Sequence, residues 1–282
     1  MKTKTMFELL VLGMSLTPLT CSAVGEAGEG LTGSHHDFTI SNTSNYHYTT
    51  GAANNADGDP IADVGLCTYC HTPHKAQATL LLWNHKLSSQ TFSWEVPATT
   101  AGTPLPAING QTYNGATAKC LSCHDGTVAL GDVALFYETT HMGSGDNDTG
   151  SLDSQTMNDV EPFFVMTGNN GAGAGSLNGN HPVAVPYPFN QAKNTYNGVT
   201  TGDGAILTDW QADPSNGSNI RLFTDTGGGN IHAGATAGQT GIECSSCHDP
   251  HNKQSVDDFF LRGKLTGSSR GDGYLCLQCH DK

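Results

Sequence analysis

Eight of the nine cysteines occur in four copies of one pattern, which constrains this chain more than any other feature. Each copy has two cysteines separated by two residues, with a histidine directly after the second cysteine. The copies span residues 67–71, 120–124, 244–248 and 276–280. The ninth cysteine, Cys21, lies near the N-terminus. The fold must therefore accommodate four copies of the same arrangement of two thiols and an imidazole.

The spacing within each copy suits covalent attachment of a porphyrin. Two thiols in one short segment can reach two vinyl groups of one haem, and the adjacent imidazole can then bind the iron. We therefore predict four covalently bound c-type haems. The thioether-forming residues are Cys67, Cys70, Cys120, Cys123, Cys244, Cys247, Cys276 and Cys279, and the proximal ligands are His71, His124, His248 and His280.

Two other uses of cysteine fit the sequence less well. Disulfide bonds are common in exported proteins and explain an even number of cysteines, but they do not require a histidine after every second cysteine. Zinc sites also combine cysteine pairs with histidine. Zinc would need the motifs to combine in pairs, however, and would not require the same histidine offset each time. We therefore favour haem over disulfides and zinc.

Four six-coordinate haems need four more axial ligands. Of the 13 histidines, nine lie outside the motifs, whereas only Met142, Met157 and Met166 follow residue 23 among the methionines. We therefore predict His/His ligation at all four irons, which gives lower reduction potentials than Met/His ligation. The favoured distal ligands are His36, His74, His85, His181 and His251, and weaker candidates are His47, His141 and His232. The five favoured residues exceed four irons, so one has another role or serves a neighbouring subunit.

His74 and His251 occupy matching positions, each three residues after a motif histidine and directly after a proline. A histidine so close in sequence cannot easily reach the opposite face of the haem that its own motif binds. It is better placed to bind a neighbouring iron and so to hold two haems together. His85 follows the apolar residues 80–83, which can pack on a porphyrin, and His181 precedes a proline that stiffens the backbone.

Composition and charge bound the fold class and the partners. Acidic residues outnumber basic residues by 26 to 12, which gives a formal net charge of -14. This negative charge argues against nucleic acid as a binding partner. It is compatible with other redox proteins and extracellular metal acceptors as partners. Only 36% of the residues are apolar, which is low for a globular domain. We predict a mostly irregular, loop-rich multihaem fold with short helices and few strands, wrapped around four haems that supply apolar volume.

Local patterns predict few regular elements. Residues 127–137 are expected to form a strand or a short helix broken at Gly131, and residues 183–189 an extended segment. The glycine-rich residues 168–179 and 227–234 are expected to be loops. The motifs are unevenly spaced and the residues between them do not repeat, so we expect one domain and not a solenoid.

Residues 1–23 have the features of a secretory signal peptide, with a basic start, an apolar run at residues 9–16 and a small-x-small site ending at Ala23. We expect residues 24–282 to form a single tetrahaem domain that is exported to the outer cell surface, the extracellular space or the periplasm. The apolar run is too short to span a membrane. Lipidation of Cys21 is the alternative to plain cleavage.

Several short segments together resemble the tetrahaem, filament-forming outer-surface cytochromes of metal-reducing bacteria, a family often described by a doubled C-x-x-C-H motif. The segments are residues 33–37 (GSHHD), 67–74 (CTYCHTPH), 82–85 (LWNH), 120–126 (CLSCHDG), 180–182 (NHP) and 275–280 (LCLQCH). The resemblance implies a continuous haem chain with alternating parallel and T-shaped pairs, head-to-tail polymers and a histidine that crosses the subunit boundary. It also implies distal roles for His36, His74, His85, His181 and His251, with His35 as the alternative to His36.

These features predict an electron-transfer protein and not an enzyme. The favoured function is an electron conduit that polymerises into an extracellular filament and delivers electrons to external acceptors. A soluble periplasmic tetrahaem carrier needs the same haems without the assembly. A multihaem oxyanion reductase would need an open iron position, and the surplus of histidines argues against one.

Overall fold

The computed structural model describes the parts of the chain around the four motifs. The described residues are 26–38, 66–73, 76, 80–94, 105, 107–133, 156–160, 162–168, 173–191, 208–223 and 241–281. The residues with predictions that lie outside these ranges are 1–23, 134–137, 169–172 and 227–234, together with His47, His74, His141 and His232. The predictions for those residues stay predictions.

The described helices are short, and three of them carry motif cysteines. Helix α1 spans Ala116–His124 and contains the whole second motif, α3 spans Cys244–Cys247, and α4 spans Leu275–Cys279. Helix α2, Met157–Val160, is a single turn. Short 3-10 turns lie at Leu80–Leu82, Pro162–Phe164 and Phe189–Gln191. Within the described ranges, no helix has the length and apolar character needed to cross a membrane.

Two small antiparallel sheets connect segments that are distant in sequence. Strand β1, Thr91–Phe92, pairs with β2, Ile108–Asn109. Strand β3, Val185–Pro186, pairs with β4, Gly241–Ile242. In both sheets the first residue of one strand lies opposite the last residue of its partner. The described part of the chain is therefore loop-rich with few short helices, which confirms the predicted irregular fold class.

Buried apolar side chains of the described residues form three small clusters. The first contains Phe92, Trp94, Ile108, Tyr113, Ala118, Leu121, Leu177 and Ala184. The second contains Tyr69, Leu130 and Val133, and the third contains Val185, Tyr187, Phe189 and Ile242. Cys70 and Cys123 pack against the second cluster, and Cys279 packs against the third. Cysteines of three motifs thus lie beside apolar side chains.

The described segments also test the local predictions. Over residues 127–133 the chain forms turns and isolated bridges, so the predicted strand or short helix is wrong in this segment. The Asp125 carboxylate accepts the amide of Thr127 at 2.8 Å, which starts a turn. Residues 183–189 contain β3 and the described part of residues 168–179 forms loops, both as predicted.

A buried ion pair closes the loop that follows α3, and its arginine also binds α3. The Arg262 guanidinium lies 3.3 Å from the Asp249 carboxylate, and the two side chains are 3% and 6% exposed. Arg262 also donates to the carbonyl oxygen of Ser245 at 3.0 Å. A buried pair of this kind is costly to break, because the remaining charge stays out of water.

Replacing Arg262 with alanine is expected to lower the free energy of unfolding by about 3–5 kcal/mol, because Asp249 would stay buried without its partner. Lys86→Ala is the control, since it breaks an ion pair with Asp132 whose side chains are 56% and 37% exposed. That exposed pair contributes about 0.2–1 kcal/mol. Urea unfolding followed by far-ultraviolet circular dichroism measures both losses, and losses of equal size would contradict the prediction.

Candidate functional site

In three of the motifs, a backbone carbonyl oxygen lies within hydrogen-bonding distance of Nδ1 of the motif histidine. The bonds join His71 to Leu81 at 2.6 Å, His124 to Phe164 at 2.9 Å and His248 to Phe259 at 2.7 Å. A carbonyl oxygen only accepts hydrogen bonds, so Nδ1 carries the hydrogen and Nε2 has the lone pair. Two predicted distal ligands are held in the same way, His36 by Pro250 at 3.3 Å and His181 by Pro182 at 2.9 Å. All five imidazoles therefore offer Nε2 as a ligand.

Burial favours the neutral form of three of these imidazoles. It lowers the pKa of His36 to about 4, and the neighbouring His124 adds to this effect. It also lowers the pKa of His124 and of His248 below the ordinary value. Because a metal binds the neutral imidazole, these side chains are in the protonation state that ligation requires.

The backbone around three motif histidines forms the same arrangement, which we call the clamp. In each clamp, the amide after the motif histidine donates to a carbonyl of a facing segment, and an amide of that segment donates back to the carbonyl of the second motif cysteine. The pairs are Thr72–Leu82 and Asn84–Cys70, Asp249–Phe260 and Arg262–Cys247, and Asp281–Asp209 and Gln211–Cys279, all at 2.7 to 2.9 Å. The first, third and fourth motifs are therefore repeats of one local structure.

The clamps of the first and third motifs each contain two bulky residues with left-handed backbone. The φ angles are 64° and 51° at Leu81 and Leu82, and 56° and 60° at Phe259 and Phe260. This conformation costs a non-glycine residue roughly 1–2 kcal/mol. It directs the carbonyls of Leu81 and Phe259 to the motif histidines, so the strain is used to orient an imidazole.

Bulky apolar side chains lie exposed beside the same histidines. Leu81 is 53% exposed and Phe259 is 49% exposed, and Phe163, next to the segment that holds His124, is 77% exposed. Apolar side chains of this size are normally covered when several occur together. A flat apolar group bound at the motif histidines would cover them. The surroundings of these histidines therefore fit a porphyrin.

Three motif histidines face three of the predicted distal histidines. The distances between ring centroids are 6.2 Å for His71 and His251, 6.3 Å for His124 and His36, and 6.3 Å for His280 and His181. Each pair joins residues that are far apart in sequence. The fold thus brings a spare imidazole to the histidine of the first, second and fourth motifs.

The separation within each pair matches two imidazoles on opposite sides of one metal ion. A metal–imidazole bond is about 2.0–2.1 Å long and a ring nitrogen lies about 1.1 Å from its ring centroid, which puts the two centroids about 6.3 Å apart. Distance alone is not diagnostic, because the rings of Tyr69 and His85 are also 6.3 Å apart. What distinguishes the three pairs is that each joins one motif histidine to one spare histidine.

His85 has different surroundings from the other candidates. It is 1% exposed, and its Nδ1 and Nε2 both lie 3.0 Å from carbonyl oxygens, those of Lys86 and Ala129. Burial alone would lower the pKa of His85, but the Cys123 sulfur and the Lys86 carbonyl outweigh it and raise the pKa to about 9. Each ring nitrogen of His85 is therefore already in contact with a backbone carbonyl oxygen.

The eight motif cysteines are free thiols. Burial raises the pKa of Cys70 and of Cys279 to about 12 and that of Cys247 to about 11. These thiols therefore stay protonated at neutral pH and exchange poorly with disulfides. The neighbouring Cys244 thiol and burial raise the pKa of Cys120, although the two cysteines belong to different motifs.

The residues that could hold a cofactor are these thiols and the paired imidazoles. Among the described residues, no three histidine, cysteine, aspartate or glutamate side chains gather as ligands for a bare metal ion. A haem requires fewer protein ligands, because the porphyrin supplies four and the chain supplies two. The donor set of thiol pairs and imidazole pairs fits that requirement.

Comparison with known proteins gives no family assignment. The chain matches no protein-family model and no curated protein. The interpretation of the site therefore depends on its own residues and their geometry.

Sequence reasoning missed the residues whose carbonyls hold the motif histidines. Leu81 and Phe259 each belong to a pair of bulky apolar residues that follows a motif, in the segments LLLW and DFFL. That shared feature is a weak signal, because the two segments lie at different distances from their histidines. Phe164 belongs to a segment far from its motif and carries no such signal.

Proposed function

We propose that this protein transfers electrons through four covalently attached haems, each with two histidine ligands. The three pairs of imidazoles, with ring centroids 6.2 to 6.3 Å apart, carry the proposal. Four pairs of motif thiols next to the motif histidines supply the covalent attachment. When bound, haem supplies a reversible one-electron carrier.

The paired histidines give a specific ligand assignment. We assign His251 to the iron of the first motif, His36 to that of the second and His181 to that of the fourth. For the third motif we retain His74, because it has the same position after His71 that His251 has after His248. The first and third motifs have the same clamp. In this assignment each of them supplies the distal histidine for the iron of the other. His85 is the surplus candidate in this assignment.

The residues of the chain have three tasks in the proposed function. The clamps fix the orientation of the motif histidines, and the carbonyl bonds at Nδ1 keep Nε2 available for iron. Exposed side chains such as Leu81 and Phe259 would cover the porphyrin faces and exclude water. Two histidines at each iron would leave no position for a substrate, which supports electron transfer over catalysis.

Contacts between motifs support a continuous path. Cys70 and Cys123 pack against one apolar cluster, so the first motif lies beside the second. The Cys244 amide donates to the Thr117 hydroxyl of α1, so the second lies beside the third. The carbonyl of Lys264, in the loop after the third motif, accepts the amide of the fourth-motif helix residue Leu275 at 2.9 Å. We infer that electrons pass between the haems in the order in which their motifs occur in the sequence.

Assembly into an extracellular filament is the part of the proposal that rests on the family resemblance. Cryo-electron microscopy of the exported, haem-loaded protein tests it. Ordered filaments with haems continuous across subunits are the expected result. Discrete monomers with four haems would contradict the filament and leave a soluble carrier as the function. An iron with an open position in the same sample would instead favour the reductase.

A further inference from the structure

We propose that Glu243 is a positioning residue that holds the haem of the second motif against the haem of the third motif and so sets the electronic coupling between them. This inference rests on the proposed function. Glu243 lies directly before the first cysteine of the third motif. It belongs to neither a thiol pair nor an imidazole pair.

Glu243 binds both motif helices at once. Its Oε2 accepts the backbone amide of Thr117, in the first turn of α1, at 2.8 Å. Its Oε1 accepts the hydroxyl of Tyr113. Glu243 is also the N-cap of α3, where its backbone carbonyl accepts the amide of Ser246 at 2.9 Å and its own amide donates to the Ser246 hydroxyl at 3.0 Å. One residue therefore caps the third-motif helix with its backbone and binds the N-terminus of the second-motif helix with its side chain.

A second set of bonds at this junction reaches the cysteines that would carry the haems. The amide of Cys244 donates to the Thr117 hydroxyl at 3.2 Å, and the Cys244 thiol lies 3.6 Å from the same oxygen. Cys120 lies three residues after Thr117 in α1, so the two residues share one face of that helix. The cysteines that would anchor neighbouring haems thus lie on the two helices that Glu243 joins.

The junction is tightly packed and buried. Glu243 is 4% exposed and Lys119 is 3% exposed, so the charge that faces the carboxylate is buried with it. At Gly115, an added Cβ would come within 2.3 Å of Glu243 Oε1 and 2.2 Å of the Tyr113 hydroxyl. Because the carboxylate fills this space, replacing it with alanine opens a gap between the two helices and leaves the Thr117 amide without its acceptor.

The test uses the haem-loaded protein and two variants, Glu243→Ala and Glu243→Gln. Circular dichroism in the Soret region reports coupling between neighbouring haems, and redox titration reports the spread of their potentials. We expect Glu243→Ala to lose one coupling component of the Soret signal while all four haems stay attached and low-spin. Glu243→Gln keeps one acceptor oxygen and is expected to lose less.

Asp159→Ala is the matched control. Its carboxylate accepts the amide of Thr156 at 2.7 Å at the start of α2, a helix without a motif. We expect it to leave the Soret signal unchanged.

If Glu243→Ala does not fold, Tyr113→Phe removes one donor to the carboxylate and is expected to weaken the same component. Four attached haems with unchanged coupling in the Glu243 variants would overturn the inference, as would loss of a haem from them. A wild-type protein without covalent haem would overturn the proposed function itself.

Discussion

Replacing His251 with alanine is expected to convert one of the four haems from six-coordinate low-spin to five-coordinate high-spin. The reason is the position of the His251 ring, whose centroid lies 6.2 Å from that of the motif histidine His71 with an angle of 22° between the rings. His251 is exposed, so its removal leaves the packing of the fold largely intact. Electron paramagnetic resonance of the oxidised protein measures the loss of one low-spin species and the gain of one high-spin species.

His85→Ala is the informative counterpart, because sequence reasoning also favoured His85 as a ligand. We expect all four haems to remain low-spin, since both ring nitrogens of His85 face carbonyl oxygens. The variant should instead lose about 2–4 kcal/mol of stability, because it opens a cavity and leaves the carbonyls of Lys86 and Ala129 without their donor. A high-spin haem in His85→Ala, with His251→Ala unchanged, would reverse the assignment.

Replacing His36 with alanine is expected to remove the distal ligand from a different iron, that of the second motif. The His36 ring lies 6.3 Å from the ring of His124, and its Nδ1 is held by the carbonyl of Pro250. We therefore expect one high-spin haem again, with a potential change confined to the second motif's iron. Combining His36→Ala with His251→Ala should give two high-spin haems, because the two pairs use different motif histidines.

His35→Ala is the matched control for His36→Ala, because the two residues are adjacent and of the same type. The His35 side chain is exposed and its ring lies 5.9 Å from that of Phe164. We expect its removal to leave all four haems low-spin. If His35→Ala produced the high-spin haem and His36→Ala did not, the distal ligand of the second motif would be His35.

The prediction of haem attachment needs only the sequence, because each motif is local. Two cysteines and a histidine within five residues need no knowledge of the fold to suggest one porphyrin. The pairing of distal histidines could not be predicted in this way. His251 and His71 are brought together by contacts between distant segments. From the sequence, the matching positions of His74 and His251 after the first and third motifs indicated only that each binds the iron of a neighbouring haem.

The segment before His85 makes a contact that its apolar character did not predict. Residues 80–83 suggested a surface for a porphyrin next to His85. In the structure the segment holds His71 through the Leu81 carbonyl, while His85 is enclosed by carbonyls. The carbonyl bond depends on left-handed backbone at Leu81 and Leu82. Bulky residues adopt that conformation only when tertiary contacts compensate for it, so no local propensity indicates it.

The loop-rich fold was predictable, but the local structure after the second motif was not. Low apolar content and abundant glycine pointed to an irregular chain. The apolar residues of 127–133, by contrast, suggested a strand or helix, whereas the structure uses them in turns. The buried Leu130 and Val133 pack on Tyr69 there, beside Cys70 and Cys123. Packing around the motifs has overridden local preference in this segment.

The most direct test of the account is the intact mass of the exported protein under denaturing conditions. Thioether bonds survive denaturation, whereas haem that is only ligated dissociates. The account predicts the mass of the polypeptide plus four haems, and the loss of one haem when Cys120 and Cys123 are both replaced by alanine. A mass equal to the bare polypeptide, or one lowered only by the hydrogens lost in disulfide formation, would contradict it.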